Sequence, residues 1–335
     1  MSRSDPGLDS QVVNLEDEFF NKKHYFSYSG LQKLLYSPKL WYNHYIIGER
    51  EDRLDQHLID GKVIHCLLLD NGNFEKQFII LPGRLPTGNN RVVIDKLFNL
   101  TRNTKSEKVL GEFDKEILEI LKEIDLHQSL KTDAQRIEKI VTEESRSYYN
   151  YLAEKGNKDI LDEETLARCQ ESVKILRNNK KVTQLLCLEC DNSIDIYNEL
   201  EIKVEAGDWP FGFKGIIDNL VIDRTNKVVY INDLKTSGKT LADFKETIEY
   251  YKYWLQAAIY IFMVKKYYNL DTSWKIKFTF IVIDKYLQVY PFVISEATMS
   301  IWNDRFLDAV LVANYHYENK SFDLPYEFCT NSVIL

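Results

Sequence analysis

Apolar residues recur at helical spacing through the first half of the chain and alternate with polar ones through much of the second. Residues 1–24 read as a loosely ordered tail. From Ser27 onward Leu31, Leu34 and Leu35 keep helical spacing, and Ser29 followed by Gln32 has the form of a capping box. Pro38 interrupts this helix. Leu40, Trp41, Tyr42 and Tyr45 suggest a second short one, and a third is predicted over 54–69. Phe78 to Leu81 reads as a short strand, and the Pro82, Gly83, Pro86, Gly88 and Asn cluster behind it reads as a loop. Residues 91–186 are helical in pattern almost throughout, most clearly over 133–154 and 162–186, with charged faces suited to solvent.

After Cys190 the period changes from 3.6 to 2. Residues 194–197, 200–204, 212–222 and 227–234 alternate as strands, and Asp223-Arg224-Thr225-Asn226 supplies a turn, which predicts a meander. One long helix is predicted over 241–268, two strands over 275–283 and 287–294, and a helix over 295–315. The class is therefore α/β (α+β), with an extended helical N-terminal part. The expected organisation is a tail over 1–24, a helical region over 25–190, a core over 191–315 and a second tail over 316–335, together one compact domain.

Composition narrows the classes. The 335 residues are 44% hydrophobic and 28% charged, with 13 Gly and 7 Pro, which excludes collagenous and globally disordered chains. The longest apolar run, 257–264, is far shorter than the ~20 residues of a membrane helix. The opening stretch is polar and acidic, not a leader, so a cytoplasmic protein is expected. Five irregularly spaced cysteines (Cys66, Cys169, Cys187, Cys190 and Cys329) fit reduced thiols. A net charge of −8 argues against a scaffold that coats nucleic acid. It leaves room for an enzyme with a local basic groove, because carboxylates that hold metal ions also count as negative.

The chemistry concentrates in two neighbouring strands. Asp218 closes the apolar run Gly215-Ile216-Ile217, and Asp233 and Lys235, two apart, point to one face of the next strand. Two antiparallel strands joined by a short turn would set Asp218 beside Asp233. Carboxylates at one spot repel unless a cation lies between them, and their hard oxygens suit Mg²⁺ or Mn²⁺. A lysine on that face could orient water or neutralise a phosphoryl transition state. The plainer alternative is that both aspartates end strands and cap turns.

Gly215-Ile216-Ile217-Asp218 followed by Asp233-Leu234-Lys235-Thr236 resembles the PD-(D/E)XK nuclease superfamily, in particular its RecB-like branch. Tyr253-x-x-Gln256-Ala257-x-x-Tyr260 is similar to that branch's Y-x-x-Q-A-x-x-Y helix, Gly61 to His65 to its G-x-x-x-H, and Ser27-Tyr28-Ser29 to Ser37-Pro38 to its opening segment. The order is kept from residue 27 to about 294, and the spacing looks most like phage and prophage exonuclease VIII-type enzymes. The resemblance implies a restriction-endonuclease-like core, a central mixed sheet flanked by helices. It implies Asp218 and Asp233 as metal ligands with the Leu234 carbonyl, and Lys235 as the group that positions water or stabilises the phosphorus. His65 would complete a second metal position, unless it is a core histidine on the face of Val63, Ile64, Leu67 and Leu68. An upstream glutamate is Glu199 or Glu201, with Glu199 favoured. Gln256 and Tyr260, i and i+4 on one helix, would look into the site, with Gln256 holding Lys235 or a phosphate.

Relatives with an iron–sulfur cluster carry cysteines that this chain lacks: Ser37-Pro38 stands upstream and only Cys329 near the end, so no cluster is expected. The Cys187-x-x-Cys190 spacing has no second pair, and no P-loop is present. The expected activity is a Mg²⁺-dependent DNA exonuclease acting on duplex ends, with a single-strand annealing recombinase and a homo-oligomeric ring as candidate partners and no membrane. The alternatives are an endonuclease on the same core and an inactive DNA- or protein-binding module. Lys214, Lys239, Lys245 and Lys252 are candidate phosphate contacts. Residues 99–151 read as a helical insertion that could shape a DNA channel or a subunit contact. Asp233 and Lys235 are expected at an open strand end, where alanine would abolish cleavage and leave folding intact.

Overall fold

The computed structural model describes residues 15–49, 56–102, 109–187 and 194–333. The strands are β1 (Tyr25–Phe26), β2 (Phe78–Ile80), β3 (Asp159–Leu161), β4 (Asp195–Glu205), β5 (Gly212–Asp223), β6 (Val228–Ser237), β7 (Lys275–Asp284) and β8 (Val289–Val293). The principal helices are α1 (Tyr28–Tyr36), α2 (Gln56–Leu69), α3 (Gly88–Thr101), α4 (Asp114–Glu123), α5 (Glu143–Lys155), α6 (Glu163–Asn178) and α7 (Lys180–Leu185), then α8 (Phe244–Tyr250), α9 (Tyr253–Tyr267) and α10 (Glu296–Asn319).

The chain divides into two compact units. The first, residues 1–61 and 172–335, holds a mixed sheet in the order β1-β5-β6-β7-β8, with β4 along the other edge of β5. β4, β5 and β6 form the antiparallel meander that their alternation predicts. β6 and β7 pair in parallel, which demands a crossover, and residues 241–267 provide it. Phe213, Phe278 and Phe280 from the sheet pack with Leu255, Ile259 and Met263 of α9 and with Phe306 and Val310 of α10. Gly215 lets α9 approach: a Cβ there would lie 3.0 Å from the Tyr260 ring and 3.1 Å from Met263.

Three local expectations are corrected. The cap of α1 is Ser27, whose Oγ accepts from the Gly30 amide at 3.1 Å, because β1 ends at Phe26 and Ser27 is still extended. The segment read as a tail contains a helix over 15–20, and Phe19 and Phe20 pack against the core. The crossover is a turn over Leu241–Asp243, then α8, then α9, broken at Lys252, whose φ is +54°. No Gly or Pro marks this break. The Tyr251 carbonyl it frees accepts from the Tyr28 hydroxyl and from Gln32 Nε2, so tertiary partners replace the helix hydrogen bond.

The second unit, residues 62–171, packs α3, α4 and α5 around Ile94, Leu97, Ile117, Leu121 and Tyr149. β2 pairs in parallel with β3, a three-residue strand inside the stretch whose pattern reads as helical. No described helix is long and apolar enough to cross a membrane. Cys66, Cys169 and Cys329 are thiols, but Cys187 is disulfide-bonded, which corrects the expectation of wholly reduced cysteines.

Candidate active site

β5 and β6 pair from Asp223 opposite Val228 to Asn219 opposite Asn232, and there the ladder ends. The next residue on each strand is an aspartate, so Asp218 and Asp233 face each other where the strands fork. The Leu234 amide donates to Asp218 Oδ2 at 2.7 Å in place of a ladder bond. On the other edge, β4 pairs with β5 through Asn198 opposite Asn219 and Leu200 opposite Ile217. Between them Glu199, at φ +48°, leaves the ladder opposite Asp218. A carboxylate oxygen of each lies within 4.8 Å of the other. Glu199, Asp218 and Asp233 thus form one row across three strands.

The apolar alternation of β5 slips at the same point. Phe213 and Ile217 enter the core from odd positions, Leu220 and Ile222 from even ones. The register with β4 is kept across this point, so the change of phase is local to Glu199 and Asp218, and it turns Asp218 to the side that Asp233 shares with α9. Glu201 sits on the far side of the slip, exposed, opposite Ile216, itself 49% exposed. The row therefore takes Glu199 and leaves Glu201 outside.

Asp233 is fully buried and Lys235 nearly so, with 15% of its side chain accessible; Lys235 Nζ lies 2.6 Å from Asp233 Oδ2. Burial alone would lower the ammonium pKa. The Asp233 and Asp218 carboxylates outweigh it and hold the group above its ordinary value. Gln256 Nε2 donates to Asp233 Oδ1 at 2.9 Å and lies 3.0 Å from the Tyr260 hydroxyl. Gln256 thus holds Asp233, where the resemblance implies Lys235 or a phosphate as its partner. Burial, then Asp233 and Asp218, push the Tyr260 hydroxyl far above its usual range, so it stays neutral. Two tyrosines that the motifs contain, but to which the sequence reading gives no role in the site, also belong here. Tyr253 carries the Lys235 ammonium 4.9 Å over its ring, and Tyr28 lies close enough to Asp233 for that charge, after burial and Tyr253, to raise its hydroxyl pKa. A tyrosine one turn before Gln256 and another inside the Ser27–Ser29 segment were the available signals.

Behind the acidic row stands a second row of amides. Asn219 Nδ2 donates to Asn198 Oδ1 at 2.8 Å and to the Leu186 carbonyl at 3.2 Å. Asn232 Nδ2 donates to Asn219 Oδ1 and to the Leu185 carbonyl, both at 2.8 Å. The ladder ties the end of α7 to the three strands that carry the carboxylates. Asn232→Leu removes both donors and leaves a buried carbonyl and a buried amide oxygen unsatisfied, a cost of about 2–3 kcal/mol. Urea unfolding should show a lower midpoint with an unchanged slope; an equal midpoint would mean the ladder carries no stability.

Other candidates fall in different places. His65 lies on α2 in the second unit, one turn beyond Gly61, where a Cβ would lie 3.3 Å from Thr236 Oγ1. Lys239 and Lys252 border the break before α9; Lys245 is exposed on α8; Lys214 sits beside His24 at the start of β5, away from the fork.

Residues 25–298 match the model of the PD-(D/E)XK nuclease superfamily. The chain belongs to that superfamily. The mixed sheet flanked by helices is its fold, as the resemblance implies. No curated protein matches the chain. Among solved structures, a Eubacterium rectale protein provisionally named an exonuclease is 12% identical and covers 100% of this chain and 95% of its own, with a TM-score of 0.46. A protein named SSO0001 is 11% identical, covers 68% of this chain and 88% of its own, and has a TM-score of 0.23. Nucleases of the superfamily use divalent metal ions and act on DNA. The donor set fits such an ion: three carboxylates in one row supply hard oxygens and repel one another until a cation neutralises them.

Proposed function

We propose that the protein is a Mg²⁺-dependent exonuclease that hydrolyses phosphodiester bonds from DNA ends, of the RecB-like, exonuclease VIII type, serving recombination or phage DNA processing in the cytoplasm. The observation that carries this reading is the fork itself, where Asp218 and Asp233 meet with Lys235 on the same side. Glu199, Asp218 and Asp233 would hold the cation with the Leu234 carbonyl, and His65, on the strength of its G-x-x-x-H motif, would serve a second position. A divalent cation held there would supply Lewis acidity at the scissile phosphate and would make water beside it more acidic.

The chain's own side chains do the rest. The Lys235 ammonium offers three N–H donors and a positive charge to the attacking water or to a non-bridging phosphate oxygen. Gln256 fixes the orientation of Asp233, and the neutral Tyr260 supports Gln256. Attack is in line, one P–O bond forms as another breaks, the departing oxygen takes a proton, and no covalent intermediate forms. A ring of subunits and a single-strand annealing recombinase remain the partners we infer.

End-labelled linear duplex and closed circular DNA, each with Mg²⁺ and with EDTA, test this function. Loss of the linear form alone, only with Mg²⁺, is expected. Nicking of the circle would replace the exonuclease by an endonuclease on the same core, and loss of neither would contradict the reading.

A further inference from the structure

A line of tyrosine rings runs from the buried end of the site to the surface. Lys235 lies over Tyr253; Tyr253 and Tyr251 stack with centroids 5.6 Å apart and planes 21° apart; Tyr251 meets Tyr250 edge to face at 4.8 Å. Lys239 Nζ sits 5.7 Å over the Tyr250 ring. Exposure rises along the line, from half-buried Tyr253 to 44% at Tyr251 and 75% at Tyr250.

The line is pinned. The chain turns sharply at Lys252, and the Tyr251 carbonyl is held by Tyr28 and Gln32 of α1. A backbone held in this way, with the Tyr251 ring stacked on Tyr253, leaves less freedom to lose when a ligand stacks there. Ammonium groups stand at both ends, Lys235 and Lys239, with Lys252 at the turn. Exposed aromatic faces alternating with cations suit a strand whose bases are unpaired and whose phosphates are negative. A closed duplex offers no free base faces to such a line, and an aliphatic peptide would have no use for its cations.

We propose that Tyr251 and Tyr250 form a stacking platform for unpaired bases next to the scissile phosphate, so that the strand being hydrolysed reaches the site single-stranded. This rests on the nuclease reading above and adds the form of its substrate.

Fluorescence anisotropy in EDTA, where no cleavage occurs, tests the platform with a labelled oligothymidylate and with a strand of equal length lacking bases. The full chain is compared with Tyr250→Ala and Tyr250→Phe. Tyr250→Ala should weaken oligothymidylate binding about tenfold, at the low end of what stacking on one aromatic contributes. It should leave the baseless strand unaffected, and Tyr250→Phe should bind as the parent does. Equal binding by Tyr250→Ala and the parent, an equal loss on the baseless strand, or a loss in Tyr250→Phe as large as in Tyr250→Ala would each overturn the platform. Cleavage of linear duplex by the parent with Mg²⁺ is read separately. A parent that cleaves nothing removes the nuclease reading, while the anisotropy still decides whether bases stack on Tyr250.

Discussion

Asp218→Asn should lower cleavage of linear DNA by about 10³-fold or more without lowering the stability of the metal-free protein. The amide oxygen of asparagine can still accept from the Leu234 N–H, so the fork keeps its shape. What is lost is a charge. In the metal-free protein that charge is repelled by Glu199 and Asp233 and attracted by Lys235, so these opposing effects leave its removal a small change, within about 1 kcal/mol. Under the proposed mechanism it would help hold the cation that offsets charge on phosphorus, and deleting one such group elsewhere costs about 10²–10³-fold or more. Mg²⁺ should also raise the melting temperature of the parent more than that of the variant, since binding to the native state alone stabilises it. Single-turnover cleavage and thermal unfolding with and without Mg²⁺ check both halves. A variant that retains most of its activity, or that unfolds much earlier without metal, would contradict the role given to Asp218.

Lys235→Ala should behave differently: activity is lost, and so is stability. Asp233 is fully buried with the Lys235 ammonium 2.6 Å away, and deleting one partner of a buried pair removes the opposite charge beside the other, at a cost of about 3–5 kcal/mol. The sequence suggests an open strand end at which alanine is harmless to folding; the burial of Asp233 reverses that expectation. Denaturant unfolding of the metal-free variant checks it. Stability equal to the parent's would show that Asp233 finds another partner or is not charged. The different effects expected at positions 218 and 235 separate a charge that the fold barely needs from one that supports it.

The facing of Asp218 and Asp233 was legible because a four-residue turn leaves an antiparallel pair little freedom of register. Glu199 and Glu201 could not be separated in the same way. Simple alternation puts both on one face, and the choice depends on the slip at Glu199, a conformation that Glu adopts only in a particular tertiary setting. The break at Lys252 was hidden for a related reason, since the hydrogen bonds that replace the helical ones come from α1, more than 200 residues earlier. β3 escaped because three residues flanked by charged helices carry too little periodicity to register. Tyr253 and Tyr28 lie inside motifs that assign them no role, and the packing of α1 against the break sets Tyr28 beside Tyr253, whose ring carries Lys235. In the second unit the helical reading of 91–186 holds for α3, α4 and α5, whose apolar faces meet one another.

The most direct test of the carboxylate row as a divalent cation site is anomalous diffraction from crystals soaked in Mn²⁺, an ion suited to the same oxygen ligands as Mg²⁺. A peak within bonding distance of both the Asp218 and Asp233 carboxylates is expected. Ordered Mn²⁺ elsewhere on the protein, with none between those two side chains, would contradict it.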